Sequence, residues 1–239
     1  MKKKIFRAYD IRGIVDEELS EKDAWNIGKS FGSIAKDHNK IPKIAVGYDG
    51  RLSSPALKCS LIEGLLSTGV KVLEIGLGPS PMLYYASHFL KCDAAIMVTG
   101  SHNPLNHNGF KLVFENKPFF GSQIQVLEDR IIESDFHTGK GTLEIHDIKN
   151  DYLSYLLSDF LTYYSQGKSL KIAWDVGNGA TGEILRLLIQ KIPGEHILLN
   201  ETIDGNFPAH GPDPTEAKNL IQLQQTVLKK KCDVGIAFD

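Results

Sequence analysis

The amino-acid sequence predicts an α/β fold with largely parallel strand pairing. Short apolar runs rich in β-branched residues alternate with helical patterns, and most of these runs end in Asp, Gly or Asn. The runs are apolar on both faces, which is typical of strands in a sheet covered on both sides. Strands that alternate with helices of this size favour parallel pairing through helical crossovers.

Six segments have the strand pattern, and each leads into turn residues. They are 43–50, 70–76, 94–100, 171–179, 196–200 and 232–239. Carboxylates and glycines at the carboxyl ends of such strands indicate ligand sites in open α/β sheets. Tight strand-to-helix turns without a ligand are the alternative interpretation of these residues.

Helical patterns lie between the strands. Ser20 is placed to cap a helix with its apolar stripe on one face, and Ser54-Pro55 is placed to open a second helix that Gly69 closes. Further helical patterns cover 122–134, 151–164, 182–191 and 216–231.

The chain length and one polar segment predict two domains. A chain of 239 residues is long enough for two ordinary domains. A polar, Gly-containing segment, residues 134–151, separates two helical patterns and is interpreted as a linker. We therefore expect one domain at 1–150 and a second at 151–239, and the similar segments 43–55 and 171–185 indicate that the two are related.

Composition and charge exclude several classes of protein. The chain is 42% hydrophobic and 23% charged, which is typical of globular proteins, and its net charge of −2 gives no nucleic-acid-binding face. The absence of a long apolar stretch or a signal-peptide pattern predicts a cytoplasmic protein. Cys59, Cys92 and Cys232 lie far apart, indicate neither a disulfide framework nor a zinc site, and are interpreted as small core residues.

The segment TGSHNPLNHNGFK, residues 99–111, is the strongest candidate for a functional site. Ser101 follows the strand directly, Gly100 permits unusual backbone angles, and Pro104 restricts the loop. A hydroxyl held in one direction suits a nucleophile or a phosphoryl carrier. A turn serine beside a surface histidine is the alternative, and a serine hydrolase is the weakest enzyme hypothesis because the second glycine of GxSxG is missing.

Five linked motifs resemble those of the α-D-phosphohexomutases, and among them the bacterial phosphomannomutase/phosphoglucomutases. The motifs are FRAYDIRG (6–13), GYDGRLSS (47–54), TGSHNP (99–104) followed by NGFK (108–111), DVGNGATG (175–182) and DGNFPAHGPDP (204–214). The resemblance runs from residue 5 to residue 239. It implies two three-layer α/β/α domains with mixed, mostly parallel sheets.

The resemblance also implies roles for individual residues. Ser101 would carry the phosphoryl group, giving it to a hexose 1-phosphate and taking back the other phosphate of the 1,6-bisphosphate intermediate. Lys111 matches a lysine that acts in proton transfer, Arg12 matches an arginine near the phosphoserine, and Tyr9 matches a residue lining the same cleft. His102 is included among the catalytic residues, with packing within the loop as its alternative.

Two further motifs are interpreted as structural. In GYDGRLSS, Asp49 and Arg51 are expected to form a local ion pair beside the serine loop. The Pro-rich segment 204–214 is expected to be a shaped loop, in which His210 could contact a ligand.

The resemblance implies a Mg²⁺ site as well. In the family, three aspartates and a phosphoserine oxygen bind Mg²⁺, and Asp239 matches the first of these aspartates. With Ser101 and Asp239 alone the site would be incomplete, since Mg²⁺ prefers octahedral oxygen coordination, and a frayed terminal residue is the alternative for Asp239. Hexose 1,6-bisphosphate is the expected activator.

Family members have four domains, and the third and fourth, which select the sugar and bind the distal phosphate, have no counterpart here. We therefore interpret the chain as the N-terminal portion of a phosphohexomutase, with little turnover unaided. Its expected partners are a hexose phosphate and either a second copy or a complementing C-terminal half. The alternative function is a non-catalytic module that binds a sugar phosphate or a partner.

Overall fold

The structure, a computed structural model, describes residues 4–163 and 169–239 and consists of two units. Unit 1 contains residues 4–100 and Asn106–Asp147, and unit 2 contains Ser101–Leu105 and Ile148–Asp239. The short loop 101–105 therefore belongs to unit 2, although the strands on either side of it belong to unit 1.

The sheet of unit 1 is mixed and mostly parallel, as expected. Its strands are β1 (Ile11–Ile14), β2 (Lys43–Tyr48), β3 (Lys71–Leu77), β4 (Ala94–Val98), β5 (His107–Phe114), β6 (Lys117–Pro118) and β7 (Thr142–Ile145). They are arranged in the order β1-β5-β4-β2-β3-β7, with β6 paired to β5. Strands β2, β3, β4 and β7 are parallel, whereas β1, β5 and β6 pair antiparallel to their neighbours.

Four helices cover this sheet: α1 (Glu21–His38), α2 (Ser54–Leu66), α3 (Ser80–Phe89) and α4 (Ser122–Glu133). The predicted cap of α1 is confirmed, because Ser20 and Asp23 form a reciprocal capping box. Helix α2 begins at Ser54 as predicted, and Gly69 adopts a left-handed φ of 86° in the turn that follows it. The buried core between helices and sheet includes Phe31 and Phe110.

Unit 2 is a smaller α/β arrangement. It contains α5 (Lys149–Tyr163), β8 (Lys171–Asp175), α6 (Gly182–Ile189), β9 (Glu195–Leu199), a 3-10 turn (Ala217–Leu220), α7 (Ile221–Lys230) and β10 (Val234–Ala237). The strands are parallel and arranged β10-β8-β9. The last residue of the predicted helix 151–164 lies outside the described residues.

Four elements of unit 1 differ from the sequence-based expectation. The predicted linker contains β7, a strand whose four residues are all exposed and which pairs with β3 at the edge of the sheet. Strands β1 and β6 and helix α3 were not predicted. The helix starts with Ser80-Pro81, the same pair that indicated the start of α2.

The three cysteines differ in burial. Cys92 is buried, and burial raises the pKa of its thiol to about 11. Cys59 is exposed on α2 and Cys232 is half-buried, so the prediction that all three are core residues is wrong for Cys59.

Across residues 4–163 and 169–239, every helix is too short or too polar to span a bilayer.

Candidate active site around Ser101

Ser101 lies three residues after the end of β4, and all five residues of β4 are buried. The serine has a left-handed φ of 49° and is half-buried. Left-handed angles are costly for residues with a Cβ, so the surrounding structure must hold this conformation. The hydroxyl thus leaves the sheet in a defined direction.

The expected reason for Gly100 is wrong in one respect. Its φ is not in the left-handed region, which Ser101 occupies instead. A Cβ at Gly100 would meet the guanidinium of Arg51, 2.5 Å from Cζ, and would lie 2.8 Å from the carbonyl oxygen of His107. Close packing, rather than backbone freedom, therefore requires glycine at position 100.

The structure contains the predicted pair of Asp49 and Arg51. The Arg51 Nε lies 3.5 Å from Asp49 Oδ2, and the Arg51 side chain is 2% exposed. Asp49 Oδ2 also accepts a hydrogen bond from the Gly100 amide at 3.1 Å, and Arg51 Nη1 donates to the His107 carbonyl at 3.0 Å. The pair therefore connects the ends of β2, β4 and β5 and fixes the start of the serine loop.

Within unit 2, Ser101 and His102 contact Asp239, which lies 138 positions after Ser101 in the chain. The Ser101 Oγ is 3.3 Å from both carboxylate oxygens of Asp239, and His102 Nδ1 is 3.3 Å from Oδ2. The side chains of His102 and Asp239 are each 49% exposed, so this cluster is open to solvent. The structure thus brings together three of the predicted site residues.

The donor atoms of this cluster fit a hard cation in kind but not in number. A carboxylate and a hydroxyl are oxygen ligands of the type that Mg²⁺ prefers, but Mg²⁺ takes about six of them. Among the described residues, no group of three or more His, Cys, Asp or Glu side chains could hold a metal ion. Ser101 and Asp239 would therefore need ligands from elsewhere to form a complete site.

Arg12 and Lys111 lie together in unit 1. Arg12 on β1 is opposite Gly109 on β5, and Lys111 follows Gly109 by two residues, so both basic side chains are on one face of the sheet. The Arg12 Nε is 3.6 Å from Asp10 Oδ2. A Cβ at Gly109 would meet the Ile11 carbonyl oxygen and lie 3.0 Å from Arg12 Cα, which explains the glycine in the NGFK motif.

Tyr9, the remaining predicted site residue, is in unit 1 and is 81% exposed. Its ring stacks on Phe120 with a centroid distance of 6.3 Å and an interplanar angle of 24°. The two rings form an exposed aromatic surface. Phe120 was not singled out in the sequence, since an isolated Phe-Phe pair after a strand carries no functional signal.

A polar network in unit 2 was missed by the sequence analysis. Asp175 at the end of β8 has a side chain that is 1% exposed. Its Oδ1 accepts hydrogen bonds from the Gly177 amide at 3.1 Å and from Asn200 Nδ2 at 2.9 Å, and its Oδ2 accepts one from His210 Nε2 at 3.1 Å. The carboxylate thus fixes His210 and the Pro-rich loop. The signal in the sequence was that an Asp-containing motif at 175–182 is followed by a His-containing motif at 204–214.

Asp213 lies in the same loop and accepts hydrogen bonds from the Thr215 amide at 2.8 Å and the Thr215 hydroxyl at 2.7 Å. Hydrogen bonds from the Thr215 side chain and backbone lower the pKa of Asp213, and the charge of His102 contributes in the same direction.

Models of two consecutive domains of one protein family match the chain. Residues 3–138 match phosphoglucomutase/phosphomannomutase alpha/beta/alpha domain I, and residues 150–239 match domain II. Together the two matches cover most of the chain.

Individual relatives show the same resemblance. A phosphomannomutase/phosphoglucomutase of Pseudomonas aeruginosa is 41% identical over 235 residues, which is 98% of this chain and 50% of the relative. A phosphoglucomutase of Neisseria meningitidis is 35% identical over 237 residues, again 98% of this chain and 50% of the relative. The chain therefore spans about half the length of these curated relatives.

A solved structure agrees in fold. The crystal structure of a phosphoglucomutase/phosphomannomutase family protein from Burkholderia thailandensis superimposes with a TM-score of 0.89 at 36% identity, covering 97% of this chain and 51% of that one. The chain therefore shares the fold of about half of that structure.

Proposed function

The chain belongs to the phosphoglucomutase/phosphomannomutase family, and from this premise we propose that it is the N-terminal portion of a phosphohexomutase. In this proposal it moves a phosphoryl group between O1 and O6 of a hexose phosphate through phospho-Ser101 and a hexose 1,6-bisphosphate intermediate. The named activities of the relatives support the class of reaction, and the Ser101 loop supports the covalent step.

The observation that carries the proposal is the placement of the Ser101 hydroxyl. It follows a fully buried strand, has a left-handed backbone, and is fixed at its base by Asp49 and Arg51. Phosphoryl transfer depends mainly on positioning and charge stabilisation, so a rigidly directed oxygen suits a phosphoryl carrier. A surface serine in a plain turn would not need a buried ion pair beneath it.

The proposed transfer has two balanced steps. The Oγ–P bond of phospho-Ser101 breaks as a P–O bond forms to the free hydroxyl of the hexose phosphate, and the proton of that hydroxyl passes by way of Lys111 to the departing Ser101 Oγ. After the bisphosphate reorients, Ser101 Oγ attacks the other phosphate as the bond between that phosphate and the sugar oxygen breaks, and the serine proton passes back by way of Lys111 to the released sugar oxygen. Arg12, His102 and Tyr9 complete the proposal: Arg12 and His102 contact phosphate oxygens, and Tyr9 contacts the sugar.

Mg²⁺ enters the proposal through Asp239. A phosphate on Ser101 would stand next to the Asp239 carboxylate, and two close anions repel unless a cation lies between them. Phospho-Ser101 and Asp239 would hold Mg²⁺ together with ligands from outside the described residues. When bound, the ion would offset this negative charge.

The proposal predicts a partial activity for this chain. Because the chain spans about half of its relatives, we expect phosphorylation of Ser101 but little mutase turnover without the other half. Hexose 1,6-bisphosphate is the expected phosphoryl donor and activator.

Intact-mass analysis tests the proposal. The purified chain is incubated with glucose 1,6-bisphosphate and Mg²⁺, and we expect the mass of one phosphate to appear on the wild type and not on Ser101→Ala. Ser60→Ala is the matched control, since it removes a hydroxyl on α2 whose hydrogen bond is to Glu21 on α1. Failure of the wild type to accept phosphate would contradict the proposal and favour a non-catalytic module, whereas phosphate release from hexose phosphates that persists in Ser101→Ala would indicate a hydrolase.

A further inference from the structure

Two consecutive phenylalanines, Phe119 and Phe120, connect β6 to α4 and have different surroundings. Phe119 is 4% exposed, and its ring packs edge-on against Phe31 at a centroid distance of 5.3 Å. The Phe119 amide also donates to the Leu112 carbonyl of β5 at 2.9 Å. Phe120 is 49% exposed, so its ring forgoes much of the free energy that burial would provide. Phe119 therefore anchors this connection in the core, and Phe120 is not needed for that purpose.

Tyr9 lies in a tight turn that immediately precedes β1. Residues 7–10 form this turn, which is closed by a hydrogen bond from the Arg7 amide to the Asp10 carbonyl at 3.0 Å. The Tyr9 side chain is 81% exposed. A side chain this exposed samples several rotamers unless a neighbouring group restricts it.

The two connections meet at one edge of β5. Strand β1 pairs with residues 107–110 of β5, and β6 pairs with residues 113–114. Because β4 occupies the other edge of β5, β1 and β6 lie end to end along the same edge. Lys111 and Leu112 fill the interval between them. The turn before β1 and the connection after β6 therefore approach each other beside Lys111.

A backbone hydrogen bond and a ring stack join the two connections. The Gly121 amide donates to the Ala8 carbonyl at 2.7 Å, so the two backbones are held together without either ring. The Tyr9 and Phe120 rings are 24° from parallel with centroids 6.3 Å apart, which is within the range of stacked aromatic pairs. Because the backbone contact and Phe119 already hold the connections, the main effect of the stack is to restrict the Tyr9 ring.

We propose that Phe120 is a positioning residue, which holds one face of the Tyr9 ring so that the opposite face is ready to receive the sugar of a hexose phosphate beside Lys111. The face of an aromatic ring is apolar and suits the C–H bonds of a hexose. A ring that is fixed before binding loses less conformational freedom when the sugar binds. The contact between Tyr9 and the sugar rests on the proposed function, whereas the stack itself does not.

Three variants separate this role from general packing. Phe120→Ala removes the ring, and Phe120→Tyr restores an aromatic ring at the same position. Phe89→Ala is the matched control, because Phe89 is 50% exposed and its ring stacks on a different tyrosine, Tyr85, at 5.2 Å and 18°. Urea unfolding checks that each variant is folded. Phe120→Leu, which keeps apolar volume without a ring, takes the place of Phe120→Ala if that variant does not fold.

The first measurement is binding, followed by NMR of labelled tyrosine rings. Glucose 1,6-bisphosphate is titrated into Ser101→Ala, which cannot accept the phosphate, and we expect the Tyr9 resonances to shift. In the same background, Phe120→Ala should move the Tyr9 resonances before ligand is added. It should also raise the dissociation constant by about two- to tenfold, which corresponds to the loss of one aromatic pair. Phe120→Tyr should restore the affinity, and Phe89→Ala should leave it unchanged.

The second measurement is the rate at which Ser101 accepts phosphate at increasing bisphosphate concentration, followed by intact mass. We expect Phe120→Ala to raise the half-maximal concentration by the same factor and to leave the maximal rate nearly unchanged, because the stack acts on binding. In a double-mutant cycle, Phe120→Ala should have little further effect once Tyr9→Ala is present, because Phe120 acts through Tyr9. A purely structural role would lower stability without this coupling.

The inference is overturned if the Tyr9 resonances do not respond to the bisphosphate, if Phe120→Ala binds it like the parent protein, or if Phe120→Ala weakens binding equally with and without the Tyr9 ring. Because the binding measurement involves no transfer, a chain that binds the bisphosphate through Tyr9 but never accepts phosphate on Ser101 would refute the proposed function and leave the inference standing. Phosphorylation of Ser101 with the same half-maximal concentration in Phe120→Ala as in the wild type would do the reverse.

Discussion

The guanidinium of Arg51 fills the space beside Gly100 that the Cβ of any other residue would need. Arg51 is held there by Asp49 and by the carbonyl of His107, so it has little room to move. The conformation at the start of the serine loop therefore depends on the Asp49–Arg51 ion pair, and a change in one must alter the other.

This relationship predicts the effect of Gly100→Ala. The added methyl group must displace Arg51, and we expect the free energy of unfolding to fall by about 1–3 kcal/mol, as for other overpacked sites. The shifted loop should also accept phosphate more slowly at Ser101. Urea unfolding and the intact-mass assay measure both effects.

Gly211→Ala is the control for this substitution, since the nearest atom to its Cβ would be 3.4 Å away and its φ is not left-handed. If the two alanine variants unfold at the same urea concentration, the packing argument for Gly100 is wrong.

The left-handed backbone of Ser101 predicts a gain in stability on replacement by glycine. Left-handed angles cost residues with a Cβ about 1 kcal/mol or more, whereas glycine adopts them freely. We expect Ser101→Gly to raise the free energy of unfolding by about 0.5–1 kcal/mol. This value is smaller than the strain itself, because glycine has greater freedom in the unfolded chain. Ser101→Ala, which keeps the strain and lacks the hydroxyl, should show no such gain. Equal stabilities of the two variants would argue against strain at this position.

Asp37 on α1 predicts a pH-dependent contribution to stability. It accepts a hydrogen bond from Arg130 Nη2 at 2.7 Å and lies 2.8 Å from His137 Nε2. Burial favours the neutral acid, but the hydrogen bond with His137 and the charge and hydrogen bond of Arg130 outweigh it, so the pKa of Asp37 lies below its usual value of 3.8. The ionised carboxylate is therefore favoured in the folded state.

Because the folded pKa is lowered, this contribution is present above pH 3.8 and is lost as the pH falls through the folded pKa. We expect Asp37→Asn to lower the free energy of unfolding by about 0.5–1 kcal/mol at neutral pH, a modest value because the side chain is 43% exposed. Urea titrations from neutral to acid pH should show the difference from wild type shrinking, with Glu133→Gln as an exposed control. A difference that grows on acidification would contradict the assigned direction.

The buried carboxylate of Asp175 predicts energetic coupling with His210. Asp175→Asn replaces an acceptor oxygen by a donor in a site that is 1% exposed, and we expect a loss of about 1–3 kcal/mol in the free energy of unfolding. In a double-mutant cycle with His210→Ala, the loss in the double variant should be smaller than the sum of the two single losses by about 1 kcal/mol or more. Additive effects would mean that the hydrogen bond does not hold the Pro-rich loop.

The sequence predicted the elements whose signals are local. Ser20 and Asp23 form their capping box within four residues, and the buried strand β4 is a continuous apolar run. Strand β7 lies in the segment that is predicted to be a linker. Its sequence, Thr-Leu-Glu-Ile, alternates polar and apolar residues, but the alternation covers only four residues among polar ones, and all four are exposed. Its position depends on pairing with β3, which the sequence of β7 does not encode.

The same distinction applies to the candidate site. Ser101 was found because Gly, Pro and Asn are concentrated around it, and Asp239 was found through resemblance alone. The network around Asp175 joins residues 25 and 35 positions apart, and no single segment contains its pattern. Likewise, residues other than glycine are excluded at position 100 by the side chain of Arg51, which belongs to a different motif. The sequence does not show that these two residues are in contact.

The loop 101–105 has a consequence for dissecting the protein. The chain leaves unit 1 after Gly100, contributes five residues to unit 2, and returns to unit 1 at Asn106 before the final crossing at Asp147. One cut at that last crossing does not yield two complete folding modules, because the N-terminal fragment would retain the serine and the C-terminal fragment its aspartate partner. Limited proteolysis or gene truncation between the units would therefore split the candidate active site rather than isolate it.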